Sequence, residues 1–283
     1  MMPAIEITYY IIPMIRPILL AAFLSPLVFA TENIASVKLD DGIEIIPIED
    51  LSNSMDISLF DGGPLSREQK LAYMPDGKAK SSVNVFLVKT GNKTYLVDAG
   101  FGNAVANKKI DPSKIDGVLL THAHGDHISG LVKDGKANFS SPVFISKQEN
   151  DYWLDAKTPN SELQKSVAKV YAGRYKTFAF GDTLAPGIVA IDATGHTPGH
   201  TAFLIGTGKN KLLIAGDFLH AAALQFPHPE ESARYDVDPK KSVETRKRLM
   251  KMAEDNGWFI AGMHIPFPGI GKVTSRGSGY TFQ

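Results

Sequence analysis

The 283-residue chain contains no cysteine. Disulfides therefore add nothing to its stability, and neither a thiolate nucleophile nor a thiolate metal ligand is available. It also lacks a charge excess: 30 Lys and Arg stand against 30 Asp and Glu, so no net field draws it to a polynucleotide or an anionic membrane surface. After residue 31 the sequence shows no apolar run of bilayer-spanning length, no low-complexity tract, no internal repeat and no linker. Residues 31–283 accordingly read as one domain, and a hydrophobic content of 43% allows a sizeable core.

Residues 1–30 differ from the rest. Behind Arg16, the stretch Pro17 to Phe29 is almost wholly apolar, and Val28-Phe29-Ala30 precedes the polar Thr31-Glu32-Asn33. A basic residue, a short apolar run and modest residues before a cut form the pattern of a signal peptide, with Met1 or Met14 as the start. The expectation is a periplasmic or secreted protein with no stable membrane insertion once the leader is cleaved. An uncleaved anchor is the other reading of the same stretch.

The chemistry is concentrated in Thr121-His122-Ala123-His124-Gly125-Asp126-His127, directly behind the apolar run Gly117 to Leu120. A strand reverses side-chain direction at each residue, so His122 and His124 share a face at its end, and the following turn can bring Asp126 and His127 to the same point. Imidazoles with a carboxylate suit zinc better than calcium or magnesium, which favour oxygen shells. The bland alternative is a polar loop whose histidines cap a strand. Further on, His196 in Thr194 to His200, Asp217 in Ala215-Gly216-Asp217 and His264 in Gly262-Met263-His264 each follow a predicted strand. Together these are seven candidate ligands, enough for two ions if Asp217 bridges them.

Short apolar runs at Ile43 to Ile48, Val83 to Lys89, Thr94 to Val97, Ile188 to Ile191, Thr201 to Gly206, Lys211 to Ala215 and Trp258 to Ala261 predict strands. Lys147 to Asp155, Ser161 to Tyr171 and Lys241 to Asn256 predict helices, the last begun by Asp238-Pro239 and ended by Gly257. Strands apolar on both faces between helices imply an α/β (α+β) fold with sheets covered by helix layers. The Gly-, Pro- and Asp-rich segment Ser54 to Lys80 predicts a surface excursion near the active-site mouth.

In its HxHxDH segment, later His196, later Asp217 and final His264, the chain resembles the metallo-β-lactamase superfamily. The resemblance extends from Val83 to Phe282 and implies a four-layer αββα sandwich with metals at one edge between the sheets. It implies one Zn2+ on His122, His124 and His196, a second on Asp126, His127 and His264, and Asp217 shared between them. Asp217 rather than cysteine separates the chain from the commonest true β-lactamases, and His124 separates it from the diiron flavoprotein branch. Gly216-Asp217, Ala221 to Phe226, His264 with Phe267 to Gly271, and Gly277 to Tyr280 look most like the branch of methyl parathion hydrolase and its exported relatives.

The implied activity is hydrolysis of a small ester-like molecule by a hydroxide held between two zinc ions. A lactone or an aryl or carboxylic ester stands ahead of an organophosphate triester, with no nucleic acid as partner and a homodimer compatible with the reading. The principal alternative is a metal-binding protein that keeps the cage without turnover. A nuclease is a third reading, and it calls for a basic groove that the balanced charge does not suggest.

Asp126 is expected to be an orienting ligand with acid/base help. His220, three residues past Asp217, is expected to donate a hydrogen bond to substrate oxygen or protonate a leaving group, a packed core histidine being the alternative. Asp98 is expected to orient a ligating imidazole. His200 is expected to brace a turn and His228 to be solvated, while Tyr152, Trp153, Phe101, Phe218 and Phe226 are candidate pocket aromatics.

Overall fold

Phe86, Val88, Val97 and Leu119 point to one face of a sheet and Val85, Leu96 and Val118 to the other, as the two-residue period of extended chain requires. A computed structural model describes residues 36–283, so the expected leader at 1–30 lies outside the described residues. The first sheet holds seven strands. They are β1 (Val37–Lys38), β2 (Glu44–Asp56), β3 (Lys78–Thr90), β4 (Lys93–Val97), β5 (Gly117–Leu119), β8 (Val143–Ser146) and β9 (Tyr175–Phe178), in that order. A small hairpin, β6 (Val132–Lys133) and β7 (Lys136–Ala137), interrupts the chain between them.

The second sheet also has seven strands, running in sequence order. They are β10 (Thr183–Ala185), β11 (Ile188–Asp192), β12 (Thr201–Ile205), β13 (Leu212–Ile214), β14 (Phe259–Ala261), β15 (Ile270–Arg276) and β16 (Gly279–Phe282). Phe203, Ile205, Leu212 and Ile214 face the first sheet across a shared core, while Leu204, Leu213 and Ile260 face outward.

Each outer face is roofed by helices. On the first sheet lie α2 (Asn103–Ala106), α3 (Gly125–Ile128), α4 (Lys147–Leu154) and α5 (Glu162–Val170), whose Ala104, Ile128, Trp153 and Val167 join Val85, Leu96 and Val118. On the second lies α7 (Pro239–Asn256), which buries Leu249, Met250 and Ala253. Its start follows the sequence signal: Asp238 accepts a hydrogen bond from Lys241 N at 3.0 Å, and Pro239 occupies a first-turn position where no donor is lost. The result is the expected αββα arrangement. Each buried leucine of these faces is worth about 2–5 kcal/mol against alanine.

The excursion is shorter than expected. Asn53 to Asp56 pair in register with Ser81 to Lys78, so β2 and β3 extend as a polar hairpin and the excursion proper covers residues 57–77. Exposed polar strands read as loop in the sequence. The excursion contains α1 (Arg67–Leu71) and packs Ile57, Phe60 and Met74 against Leu224 of a further short helix, α6 (Ala222–Gln225). It is locked down by the buried pair Lys70 Nζ–Glu231 Oε2 at 3.1 Å and by Arg234 N donating to Leu59 O at 2.7 Å.

The topology fixes where function can sit. β4 and β5 are parallel, as are β13 and β14. β11 is antiparallel to β12, which is antiparallel to β13, so β11, β13 and β14 point the same way. Every segment carrying a candidate ligand leaves the C-terminal end of β5, β11, β13 or β14. Thr201 N donating to Thr121 O at 2.8 Å, and Asn84 N to Met263 O at 2.8 Å, join the two sheets along that edge.

Candidate metal centre

All seven expected ligands converge at this edge, in two groups that share Asp217. His122, His124, His196 and Asp217 form one, and Asp126, His127, Asp217 and His264 the other, the ligand atoms of each lying within 4.8 Å of one another. His124 Nδ1 is 3.0 Å from His122 Nε2 and 2.9 Å from His196 Nε2. Asp217 Oδ2 is 3.7 Å from His122 Nε2 and 3.5 Å from His196 Nε2. On the other side Asp217 Oδ1 lies 3.2 Å from His127 Nε2, and Asp217 Oδ2 3.1 Å from His264 Nε2. Asp126 Oδ2 is 3.3 Å from His264 Nε2. The cluster is buried except for the partly open Asp126 and His124, which face the pocket.

The far ring nitrogens fix the tautomers. His127 Nδ1 donates to Asp98 Oδ2 at 2.6 Å, His196 Nδ1 to Asp236 Oδ1 at 2.9 Å, and His264 Nδ1 to Ser82 O at 3.0 Å. His122 Nδ1 lies 3.1 Å from Thr121 Oγ1, whose hydroxyl donates to Asp98 Oδ2 at 2.7 Å. Asp98 thus orients His127 directly and His122 through Thr121, in line with its expected task. It sits at φ 58, a left-handed conformation uncommon outside glycine, and is held there by Thr121 N donating to Oδ1 at 2.8 Å.

With these Nδ1 protons placed, the Nε2 atoms of four histidines turn toward one another, His124 Nδ1 and the Asp217 carboxylate. His127 Nε2 and Asp217 Oδ1 have no hydrogen-bond partner although both are buried. His122 Nε2 and His196 Nε2 both crowd the single His124 Nδ1, which can offer at most one proton, so a buried lone pair is left unserved at some cost, and a divalent cation resolves the conflict. Nitrogen and carboxylate donors in this number fit one or two such ions.

The charges follow from the same packing. Burial pushes the Asp217 carboxyl up, but His127, His264 and His122 outweigh it and hold it well below the usual range. Burial lowers His196 to about 3 and His124 to about 4, so both are neutral at pH 7. Burial would also lower His264, but Asp217 and Asp126 prevail and raise it to about 10. His127 likewise resists burial, through Asp217 and Asp98, and is raised.

His200 braces, as expected, and does not ligate. Its Nδ1 donates to Ala193 O at 2.9 Å and its Nε2 accepts from Asp217 N at 2.8 Å, pinning the backbone of the central ligand. Gly216, at φ 58, is required here: a Cβ would lie 2.5 Å from His200 Nε2. His220 is buried with neither ring nitrogen hydrogen-bonded, its Nε2 3.4 Å from Asp217 Oδ2 and its ring stacked on His264. It lines a pocket of about 470 Å³ above the cluster, with Met55, Leu59, Phe101 and Tyr235 as the apolar walls. Among the described residues no lysine or arginine lines this pocket.

The expectations for five residues need correction. His228 is not solvated: it is half-buried against the edge of Tyr73, 4.7 Å between centroids, with Nδ1 3.4 Å from Glu230. Phe218 and Phe226 belong to the core under α7, Phe226 stacking on Phe282. Trp153 and Tyr152 pack among the first sheet's helices rather than lining the pocket, Trp153 meeting the His124 ring edge-on. Phe101 does line it. Asp236, Ser82, Leu59 and Tyr235 were missed, because nothing in their local sequence ties them to ligands far away in the chain.

A family model described as the metallo-beta-lactamase superfamily matches residues 80–264, more than half of the chain. Among solved structures, a hydrolase of the beta lactamase superfamily, AbOPH, is 31% identical with a TM-score of 0.77, covering 87% of this chain and 95% of that one. AidC, a dizinc quorum-quenching lactonase solved with its N-acyl homoserine product, is 26% identical with a TM-score of 0.78, covering 88% and 96%. The uncharacterized protein YobT of Bacillus subtilis is 30% identical over 52% of this chain and 65% of its own length. The chain spans less than two thirds of the length of the first curated relatives it matches. These matches speak to the superfamily as a whole rather than to the methyl parathion hydrolase branch.

Proposed function

The chain belongs to the metallo-beta-lactamase superfamily of metal-dependent hydrolases, and we propose that it is an exported two-zinc hydrolase of small neutral esters. Lactones and aryl or carboxylic esters stand ahead of phosphotriesters. The observation that carries this reading is the pocket. Five of the seven ligands, His124, Asp126, His196, Asp217 and His264, form its floor and apolar side chains its walls, and among the described residues no lysine or arginine lines it to hold a phosphodiester backbone.

His122, His124 and His196 would hold one ion, Asp126, His127 and His264 the other, with Asp217 between them. Zinc suits nitrogen and carboxylate donors in this ratio. Bound there, such ions supply Lewis acidity at the scissile oxygen and lower the pKa of a nucleophilic water from about 15.7 toward 7.

The chain's own residues do the rest. Asp126 is ionised, because His127 and His264 overcome the burial that would raise its pKa, and its partly open carboxylate faces the pocket as a proton acceptor. His220 presents an unpartnered ring nitrogen where a substrate oxygen or leaving group would lie, and can donate to it. Met55, Leu59, Phe101 and Tyr235 receive the apolar part of the molecule and keep water from it. The leader-like pattern of residues 1–30, a basic residue followed by a short apolar run, supports a periplasmic or secreted site of action.

The test is a substrate panel on protein loaded with two equivalents of zinc: N-acyl homoserine lactones, aryl acetates and a dialkyl aryl phosphate. Faster turnover of lactone or aryl ester than of phosphate is expected. Two bound ions with no hydrolysis of any of them would make the protein a metal binder that lacks turnover.

A further inference from the structure

The buried carboxylate of Glu149, which belongs to no ligand set, joins the two loops that carry the first group of histidines. Its Oε1 accepts from Ala123 N at 3.1 Å, between His122 and His124, and from Trp153 Nε1 at 2.6 Å. Its Oε2 accepts from Thr197 Oγ1 at 2.7 Å and Gly199 N at 2.9 Å, beside His196. The side chain is fully buried, and among the described residues no cation pairs with it. Four donors therefore share one carboxylate, two on each oxygen, which is the most its geometry can serve well.

The surroundings are built for this contact. Ser146 caps α4, accepting from Glu149 N at 3.1 Å and donating to Gly199 O at 2.6 Å, so the helix start and the His196 loop are bonded in both directions. Gly199 lies so close that a Cβ would fall 1.9 Å from Glu149 N, and only glycine permits the approach. Gln164 Nε2 holds the carbonyl of Ala123 at 2.6 Å from the opposite side. The indole that Glu149 fixes packs edge-on against the His124 ring, 5.5 Å between centroids. His124, whose metal-facing atom is Nδ1, is thus steered by ring contact and backbone placement.

The geometry points to Glu149 as the positioning residue of the first metal group, clamping the His122–His124 loop to the His196 loop so that three imidazoles on two separate loops keep one spacing. The inference rests on the two-metal reading above. It gives the two halves of the centre different supports, since Asp98 orients the second group and reaches the first only through Thr121.

The experiment is metal titration of the full chain by chelator competition, with Co2+ absorption as the spectroscopic readout. Glu149→Gln places an amide NH2 against two donors on one side and frees one loop. The first-group ion is expected to weaken by about 10- to 100-fold with an altered cobalt spectrum, and the second by much less. A folded Glu149→Gln protein that binds both ions with unchanged affinity and spectrum overturns the inference, even where thermal stability falls. Should that variant not fold, Thr197→Val, which removes one donor and keeps the volume, decides. A several-fold loss confined to the first ion supports the clamp, and unchanged affinity overturns it. A parent chain that binds no metal would instead overturn the two-metal reading itself, and this inference with it.

Discussion

Asp98→Asn tests the centre through a single oxygen-to-nitrogen exchange. In the parent chain Oδ2 receives His127 Nδ1 and Thr121 Oγ1, and Oδ1 receives Thr121 N. An asparagine can satisfy the backbone N–H with its carbonyl oxygen, but its NH2 then faces the His127 Nδ1 proton. The conflict is relieved when that proton moves to Nε2, the atom 3.2 Å from Asp217 that points into the second metal group. The ring then offers a proton where a lone pair is needed. Loss of such a partner costs metal affinity about 10- to 100-fold, or about 1.4 to 2.8 kcal/mol. The second ion is expected to carry this loss and the first, reached through Thr121, a smaller one. Chelator competition on folded protein, with the ion content of each fraction measured, resolves the two. Unchanged affinity of both ions together with an unchanged hydrolysis rate would refute the reasoning.

His220→Phe should leave metal content intact and lower kcat on the best ester by about 100-fold, the low end of what a positioned proton donor contributes; turnover equal to the parent would return His220 to a packing role. Lowering the pH should strip the second ion first. His264, raised to about 10, and His127, also raised, hold protons in the metal-free state that the ion must displace, whereas His124 and His196, lowered to about 4 and 3, are already neutral. Affinity at the second group therefore falls steadily with each unit below neutrality. Equilibrium dialysis from pH 8 to 5 that showed both ions leaving together would contradict this. Gly199→Ala should cost about 3 kcal/mol, since the new methyl collides with helix backbone rather than a movable side chain, and an unchanged urea midpoint would show that the loop yields freely.

The ligands were legible in the sequence because the four strands that carry them end at one edge and four ligands lie within a single short segment behind β5. Their supports were less so. Asp98 could be inferred from its place at the end of β4, but Asp236 lies 40 residues from His196 and Glu149 reads as an ordinary first-turn acid of an exposed helix. Such pairings are made by the way the two sheets meet, and no local pattern announces them. The limits of the excursion were blurred for another reason: Asn53 to Asp56 form strand through backbone pairing while their side chains remain polar. His228, among prolines and glutamates, carried no sign of its contact with Tyr73 from the excursion.

That excursion, residues 57–77, supplies Leu59 to the pocket wall and no ligand to the floor, and its buried ion pair ties Lys70 to Glu231, 14 residues beyond the ligand Asp217. Reactivity and selectivity are therefore written in different stretches of chain. A segment of this kind can be exchanged or reshaped while the cage keeps its form, so one hydrolytic centre can serve many substrates over time without its chemistry being rebuilt.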